Sequence, residues 1–176
     1  SSGVNYNEER SELYFSLRGF VKKEESGHAN VVSTNVKDFD VEKGGQAAGQ
    51  IASDAKNPIK GTKGKYDVIF APLAFAPILN NIGESASIFS VESGLSFFSD
   101  QMGKRVGSES LTIYDEGNLK GGIGSSKSDA EGIPTQKTTL IDKGIYRNYL
   151  HSVNTGRKYK TESTGNGGMI VPEPWN

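Results

Sequence analysis

The sequence contains no cysteine, which excludes disulfides and every metal or nucleophilic site that depends on a thiolate. Only two histidines are present, so imidazole ligands are scarce as well. No apolar run approaches the ~20 residues that a transmembrane helix needs. Neither charge sign dominates, with 20 basic side chains against 21 acidic ones, and this balance does not favour nucleic acid or an anionic membrane as a partner. We therefore expect a soluble, cytoplasmic protein.

Glycine is abundant instead, with 22 residues in a chain of 176, while hydrophobic residues make up only 34%. This composition is typical of β-rich, loop-rich domains and not of helical bundles. We predict an α+β fold with a mostly antiparallel, twisted, barrel-like sheet and a few helices packed on it. The chain begins without Met and stops after "VPEPWN", which predicts part of a longer protein.

Residues 1–60 are predicted to form the end of an N-terminal lobe, followed by a linker. Apolar and polar side chains alternate in 12–23 and again in 28–36, which predicts a hairpin turning near "EESG". A helix is predicted over 38–55, with Asp40 as its N-cap.

That helix is predicted to present a face of small side chains. Its three glycines weaken a helix by up to ~1 kcal/mol each relative to alanine, so we expect each to allow close packing against a neighbouring backbone. They are Gly44, Gly45 and Gly49, and the predicted face is Val41, Ala47, Ala48, Ile51 and Ala52.

Residues 61–176 are predicted to form a truncated, β-rich C-terminal domain. "YDVIFAP" at 66–72 is a short apolar run between turn residues, which predicts a buried strand, and a helix is predicted over 73–83. Further strands are predicted at 110–115 and in a hairpin over 138–153, which turns at "KG". The predicted core consists of Val68, Ile69, Phe70, Leu73, Ile78, Leu79, Phe89, Leu111, Ile113, Leu140, Ile141 and Tyr149.

The side chains with chemical potential are few. His28 and His151 lie in different segments, neither has a histidine partner four residues away, and we interpret both as exposed surface residues. Asp115 and Glu116 form one carboxylate pair, and Asp129 with Glu131 forms another. Each pair lies next to glycine, where turn capping is the favoured interpretation over acid–base or metal chemistry. "STGNGG" lacks the Lys-Ser/Thr of a phosphate-binding loop.

Three longer stretches are more specific. "GKYDVIFAP" precedes a helix, "SGLSFFSDQMGKRVGSESLTIYDEG" follows it, and "SDAEGIPTQKTTLIDKGIYRNYLHSVNTGRKYKTESTGNGG" comes last. In order and spacing they resemble the TldD/PmbA family, whose members were named modulators of DNA gyrase and are understood as a metalloprotease system. The resemblance covers 64–168 well and 1–63 loosely.

The resemblance also implies where a metal would lie. The TldD branch carries H-E-x-x-x-H on the helix after the "YDVIFAP"-like strand, and a later cysteine completes its zinc site. In this sequence the three motif positions are Asn80, Asn81 and Ser85. An amide is a poor substitute for an imidazole ligand or a carboxylate base. The chain is therefore similar to the PmbA (TldE-like) branch, with no metal or cofactor of its own and zinc expected in a TldD-like partner.

The implied activity is that of a non-catalytic subunit, in a homodimer or in a heterodimer with a TldD-like chain. It would help to bind unfolded or extended peptides, and neither a membrane nor direct nucleic-acid binding is expected. Two alternatives remain open: an active hydrolase in which Asp115, Asp129 and Glu131 recruit a metal, and a regulatory interaction domain. The candidate peptide-binding residues are Asp129, Glu131, Gly132, Ser163, Thr164 and Gly165.

Overall fold

A computed structural model describes residues 3, 5 and 7–168, and in it the chain divides into two compact units. The first unit comprises Glu9–Pro77. The second comprises the chain from Ile78 onward together with the residues up to Glu8. Helices and antiparallel strands occur together, which confirms the α+β class.

The first unit is a β-hairpin with one helix on it. The hairpin turns where the Val21 N–H donates to the Glu25 carbonyl (2.9 Å), as the sequence predicts. The strands are antiparallel, with Leu13 opposite Ser33. Asp40 caps the helix, its Oδ1 accepting the Lys43 N–H at 2.9 Å, which confirms the predicted start. The elements are β1 (Leu13–Phe20), β2 (Ser26–Ser33) and α1 (Val41–Asp54).

Helix α1 lies very close to the hairpin because glycines remove side chains at the contact. A Cβ on Gly44 would lie 2.3 Å from Cγ2 of Val31, so this glycine does allow close packing, but against a side chain and not against the predicted backbone. Gly45 and Gly49 face open space, so the same prediction is wrong for them. The buried face of the helix is Gly44, Ala48 and Ala52, and it is narrower than predicted.

The second unit contains three helical segments and a small sheet. Helix α2 starts in the first unit and ends in the second. The strands follow the order β3–β4–β5, all antiparallel, and β4 and β5 are joined at Lys143 and Gly144, as predicted. Both turn residues have positive φ, 47° and 78°, as a two-residue hairpin loop of type I′ requires. The elements are α2 (Pro72–Ala86), α3 (Ile88–Glu92), β3 (Ile113–Glu116), β4 (Lys137–Asp142), β5 (Ile145–Tyr146) and α4 (Val153–Tyr159).

The predicted barrel-like sheet is not found in the described part of the chain. Its strands form one two-stranded and one three-stranded sheet, because long loops at 93–112 and 117–136 replace further pairing. Among the described residues, no helix combines the length and the apolar character needed to cross a membrane.

Aromatic side chains dominate the core of the second unit. Tyr146 is fully buried and stacks on Phe98, with ring centroids 4.2 Å apart, and Tyr149 meets it edge-on at 5.2 Å. Leu140 and Ile141 are buried as predicted, and Leu111, Ile113 and Tyr149 pack around the core. The sequence interpretation missed Ala86, Phe98, Tyr146 and Leu150.

Seven predicted core residues are exposed, so this part of the prediction is wrong. The run 66–72 is no strand in the structure, and no described strand lies beside it to bury its side chains. An apolar run indicates that a segment can be buried, but not that a neighbour is present to bury it. The exposed residues are Val68, Ile69, Phe70, Leu73, Ile78, Leu79 and Phe89.

Candidate functional site

Two loops of the second unit are joined by hydrogen bonds, and together we call them the clasp: residues 126–135 and residues 163–168. Oδ2 of Asp129 accepts the Gly167 N–H at 2.6 Å, and the Ala130 N–H donates to the Gly167 carbonyl at 3.1 Å. The clasp therefore brings all six candidate peptide-binding residues into one region of the second unit.

Both carboxylates of the first loop bind backbone amides of the protein itself. Oδ1 of Asp129 accepts the N–H groups of Glu131 (3.0 Å) and Ile133 (2.9 Å). Oε2 of Glu131 accepts the Val153 N–H at 2.7 Å. Val153 lies in the first turn of α4, where a negative charge interacts favourably with the positive end of the helix dipole. The contacts of Asp129 match the turn-capping interpretation, since both amides lie in its own turn. That interpretation does not hold for Glu131, whose partner is 22 residues away, or for Asp115 and Glu116, which contact Asn166 and Lys137.

The second loop is held by the backbone of His151. Its carbonyl accepts the Ser163 hydroxyl and the Thr164 N–H, both at 3.0 Å. Gly165 has φ +72°, and a Cβ there would lie 2.6 Å from the Pro134 carbonyl oxygen, so a side chain at this position would separate the two loops. Gly132, at φ +80°, makes the turn of the first loop.

The clasp is also tied to the sheet. The Nδ2 group of Asn166 donates to Oδ2 of Asp115 at 2.8 Å, and Asp115 lies on β3. Among the strands that the structure describes, β3 pairs only with β4, so it lies at the edge of its sheet. In the parts of the chain that the structure describes, no three His, Cys, Asp or Glu side chains lie close enough together to hold one metal ion.

His151 is buried, with 9% of its surface exposed, so its interpretation as a surface residue is wrong. Its ring centroid lies 5.9 Å from that of Tyr159 on α4, and its buried Nδ1 has no hydrogen-bond partner among the described residues. Glu92, at the end of α3, forms an ion pair with Lys158 at 2.7 Å. No local pattern in the sequence indicates this cluster, because its members come from three separate segments.

His151 should make the second unit sensitive to acid. Burial lowers the pKa of its imidazole below the ordinary value, although the negative charge of Glu92 acts in the opposite direction. The folded state then favours the neutral ring, so stability is complete above about pH 6.5 and falls as the pH drops from there through the lowered pKa. One proton limits the slope of the free energy of unfolding to about 1.4 kcal/mol per pH unit.

Urea unfolding at pH values from 8 to 5 measures this slope. The variant His151→Gln should have a smaller slope than the unsubstituted chain, whereas His28→Gln, at an exposed site, should keep the same slope. Equal slopes for all three proteins would contradict the assignment.

Helix α2 carries the positions that the resemblance aligns with a zinc motif. Asn80 is exposed, and its Nδ2 group donates to Oε1 of Glu84 at 2.7 Å. Asn81 is exposed too, whereas Ser85 is buried and its carbonyl accepts the Ser96 hydroxyl at 2.6 Å. Positions 80 and 85 are separated by about 140° around an ideal helix, which matches their different exposure.

These residues do not fit a catalytic zinc ion. Zinc in proteins is held by imidazole, thiolate or carboxylate groups, and α2 presents two amides and a hydroxyl at the three motif positions. An amide is also unable to take a proton from a metal-bound water as a carboxylate does. The carboxylate of Glu84 lies one turn from Asn80 but contacts that amide instead.

Comparison with known proteins places this geometry in a family. Residues 63–176 match the family model described as the PmbA/TldA metallopeptidase C-terminal domain. A protein named a metalloprotease from Methanocaldococcus jannaschii is 42% identical over 106 residues, which is 60% of this chain and 24% of that protein. The chain thus spans about a quarter of that relative's length.

Two solved structures share the fold. A candidate modulator of a DNA gyrase from Thermotoga maritima superposes with a TM-score of 0.81 at 26% identity, over 89% of this chain and 36% of that one. TldE from Thermococcus kodakarensis superposes with a TM-score of 0.78 at 24% identity, over 92% of this chain and 37% of that one, which shows the fold alone. With the family model covering well over half of its residues, this chain belongs to the PmbA/TldD metallopeptidase family.

Proposed function

We propose that this chain is a PmbA/TldE-like subunit of a TldD/PmbA-type metalloprotease complex, that it has no zinc site of its own, and that it helps to hold unfolded or extended peptides. The observation that carries the proposal is the donor chemistry of α2, where Asn80, Asn81 and Ser85 stand at the three zinc-motif positions. Zinc would then be supplied by a TldD-like partner.

The peptide-holding part of the proposal is supported by the geometry around β3. An edge strand leaves every second backbone N–H and C=O free on its outer side, and an extended peptide can pair with them whatever its side chains. Asp115 on this strand accepts a hydrogen bond from Asn166 of the clasp, so the clasp contacts the strand that carries the edge. The role proposed for the clasp is to keep the strand and the neighbouring loops rigid, since its carboxylates already bind backbone amides.

The carboxylate–metal alternative has less support. Asp115, Asp129 and Glu131 each accept hydrogen bonds from amide groups of the protein, and a metal ion would compete with those bonds for the carboxylates. The regulatory alternative assigns no function to the free edge of β3.

Zinc analysis tests the proposal. The purified chain should contain no stoichiometric zinc and should cleave no unfolded peptide. When it is mixed with a subunit that carries H-E-x-x-x-H, the two should form a complex, and the zinc content of that complex should be proportional to the amount of the second subunit. Stoichiometric zinc together with peptidase activity in the isolated chain would overturn it. Failure to assemble with any such subunit would favour the regulatory alternative.

A restored motif should not restore activity. The variant Asn80→His/Asn81→Glu/Ser85→His should remain inactive, because the third ligand and the groups that orient the histidines are missing. Peptide cleavage with and without added zinc measures this, and circular dichroism checks that the variant is folded. Robust zinc-dependent cleavage would show that the rest of a catalytic site is intact.

A further inference from the structure

Asn166 and Gly167 form the only Asn-Gly pair in the sequence, and they lie in the second loop of the clasp. Deamidation is easiest in this dipeptide, because glycine has no side chain to hinder the attack of its backbone nitrogen on the preceding side-chain amide. The product is aspartate or isoaspartate, which carries a negative charge where the amide was neutral. The pair is therefore a candidate modification site, and its surroundings decide when it reacts.

The clasp needs both residues of this reactive pair. Nδ2 of Asn166 donates to Oδ2 of Asp115 on β3 at 2.8 Å, and an ionised aspartate in its place would have no N–H to donate. A Cβ on Gly167 would clash with the side chain of Glu131, so a larger residue that slows the reaction does not fit. Replacing either residue to prevent deamidation would thus cost the clasp a contact.

The closed clasp restrains the group that would attack. The nucleophile is the backbone nitrogen of Gly167, which is buried and donates its N–H to Oδ2 of Asp129 at 2.6 Å. A carboxylate beside this N–H disfavours the loss of the proton that the attack requires. The Gly167 carbonyl accepts the Ala130 N–H at 3.1 Å, so the backbone is held on both sides of the residue. The reaction should therefore be slow while the clasp is closed.

We propose that Asn166 is a deamidation site that reacts when the clasp opens, and that the product prevents the clasp from closing again. The nitrogen of Gly167 forms a bond to Cγ of Asn166, the bond from Cγ to Nδ2 breaks, and ammonia leaves with the proton from that nitrogen. Water then opens the cyclic imide on one side to give aspartate or on the other to give isoaspartate. The net change consumes water and releases ammonia, and it needs no oxidant, reductant or cofactor.

The product is incompatible with the contacts of the closed clasp. A carboxylate at position 166 would face the carboxylate of Asp115 where the amide now donates, and the two negative charges would repel each other. Isoaspartate would also insert a side-chain carbon into the backbone just before Gly167, which would displace its N–H from Asp129. Deamidation would thus loosen the link between the clasp and β3. This modification does not depend on the zinc or the partner of the proposed function.

Peptide mapping by mass spectrometry tests the first half of the proposal on the 176-residue chain. The chain is kept at mildly alkaline pH with and without guanidinium chloride, and aspartate and isoaspartate at position 166 are quantified over time. Deamidation should be at least about 10-fold slower in the folded chain, since it must wait for local opening. Asp129→Ala should raise this rate, whereas Asp142→Ala, which removes a carboxylate paired with Arg147 outside the clasp, should leave it unchanged. Equal rates in both solutions, or no deamidation in either, would overturn the proposal.

An exchange of donor and acceptor tests the second half. Asn166→Asp mimics the product and should raise the hydrogen-exchange rates of the Gly167 and Ala130 amides at least about 10-fold. When Asn166→Asp is combined with Asp115→Asn, the N–H donor lies on β3 and the carboxylate on the clasp, so slow exchange should return. Unchanged exchange in Asn166→Asp would refute the proposal, and so would a double variant that exchanges as fast as the single one. A failure of the proposed function would appear instead as zinc and peptidase activity in the isolated chain.

Discussion

Replacing Gly27 with alanine should destabilise the first unit by about 3 kcal/mol, near the upper end of what overpacking costs. The Cβ would lie 2.1 Å from the carbonyl oxygen of Ala48 and 2.6 Å from the backbone nitrogen of Ala52. Both atoms belong to the backbone of α1, so no side-chain rotation can relieve the clash. The helix would have to move away from the hairpin, and Ala48 and Ala52 would lose their burial.

Gly45→Ala is the matched control, because it adds the same methyl group to the same unit without a clash. Nothing lies within 4 Å of a Cβ at this position, and alanine is favoured over glycine inside a helix by up to ~1 kcal/mol. The two substitutions should therefore change the free energy of unfolding in opposite directions. Hydrogen exchange of the amides in β1, β2 and α1 measures both effects within this unit. Equal stability of the two variants would contradict the close contact.

The sequence correctly predicted the elements that depend on interactions between residues close together in the chain. Asp40 caps α1 through an amide three residues away. Lys143 and Gly144 form a turn that needs only their own backbone angles. The hairpin of β1 and β2 follows from alternation on both sides of a short turn.

The failures concern residues whose environment comes from distant parts of the chain. His151 is buried because α3 and α4 meet around it, and Val68 is exposed because no described strand lies beside it. For the site, the family resemblance identified both loops of the clasp, but not that Asp129 joins them by accepting the Gly167 N–H. Such contacts follow from tertiary structure, which periodicity and spacing do not encode.

Tyr146→Ala should cost the second unit about 4 kcal/mol, the usual range for deleting a large buried aromatic ring. Tyr146 is fully buried, and the substitution would remove the ring that stacks on Phe98 and supports Tyr149. The neighbouring loop would also lose support, because Tyr146 exchanges backbone hydrogen bonds with Gly103 and Lys104. Chemical unfolding followed by tyrosine fluorescence and by hydrogen exchange in β4 measures the loss.

Tyr146→Phe separates the ring from its hydroxyl. The hydroxyl is buried without a hydrogen-bond partner among the described residues, and burial raises the pKa of this phenol, so the group stays neutral and unpaired in the core. A buried polar group without a partner costs free energy, so its removal should leave stability unchanged or raise it by about 1 kcal/mol. A loss comparable to that of Tyr146→Ala would show that the hydroxyl, and not the aromatic stack, holds this core together. If Tyr146→Phe keeps the stability and Tyr146→Ala loses it, then the contribution of Tyr146 comes from the packing of its ring against Phe98.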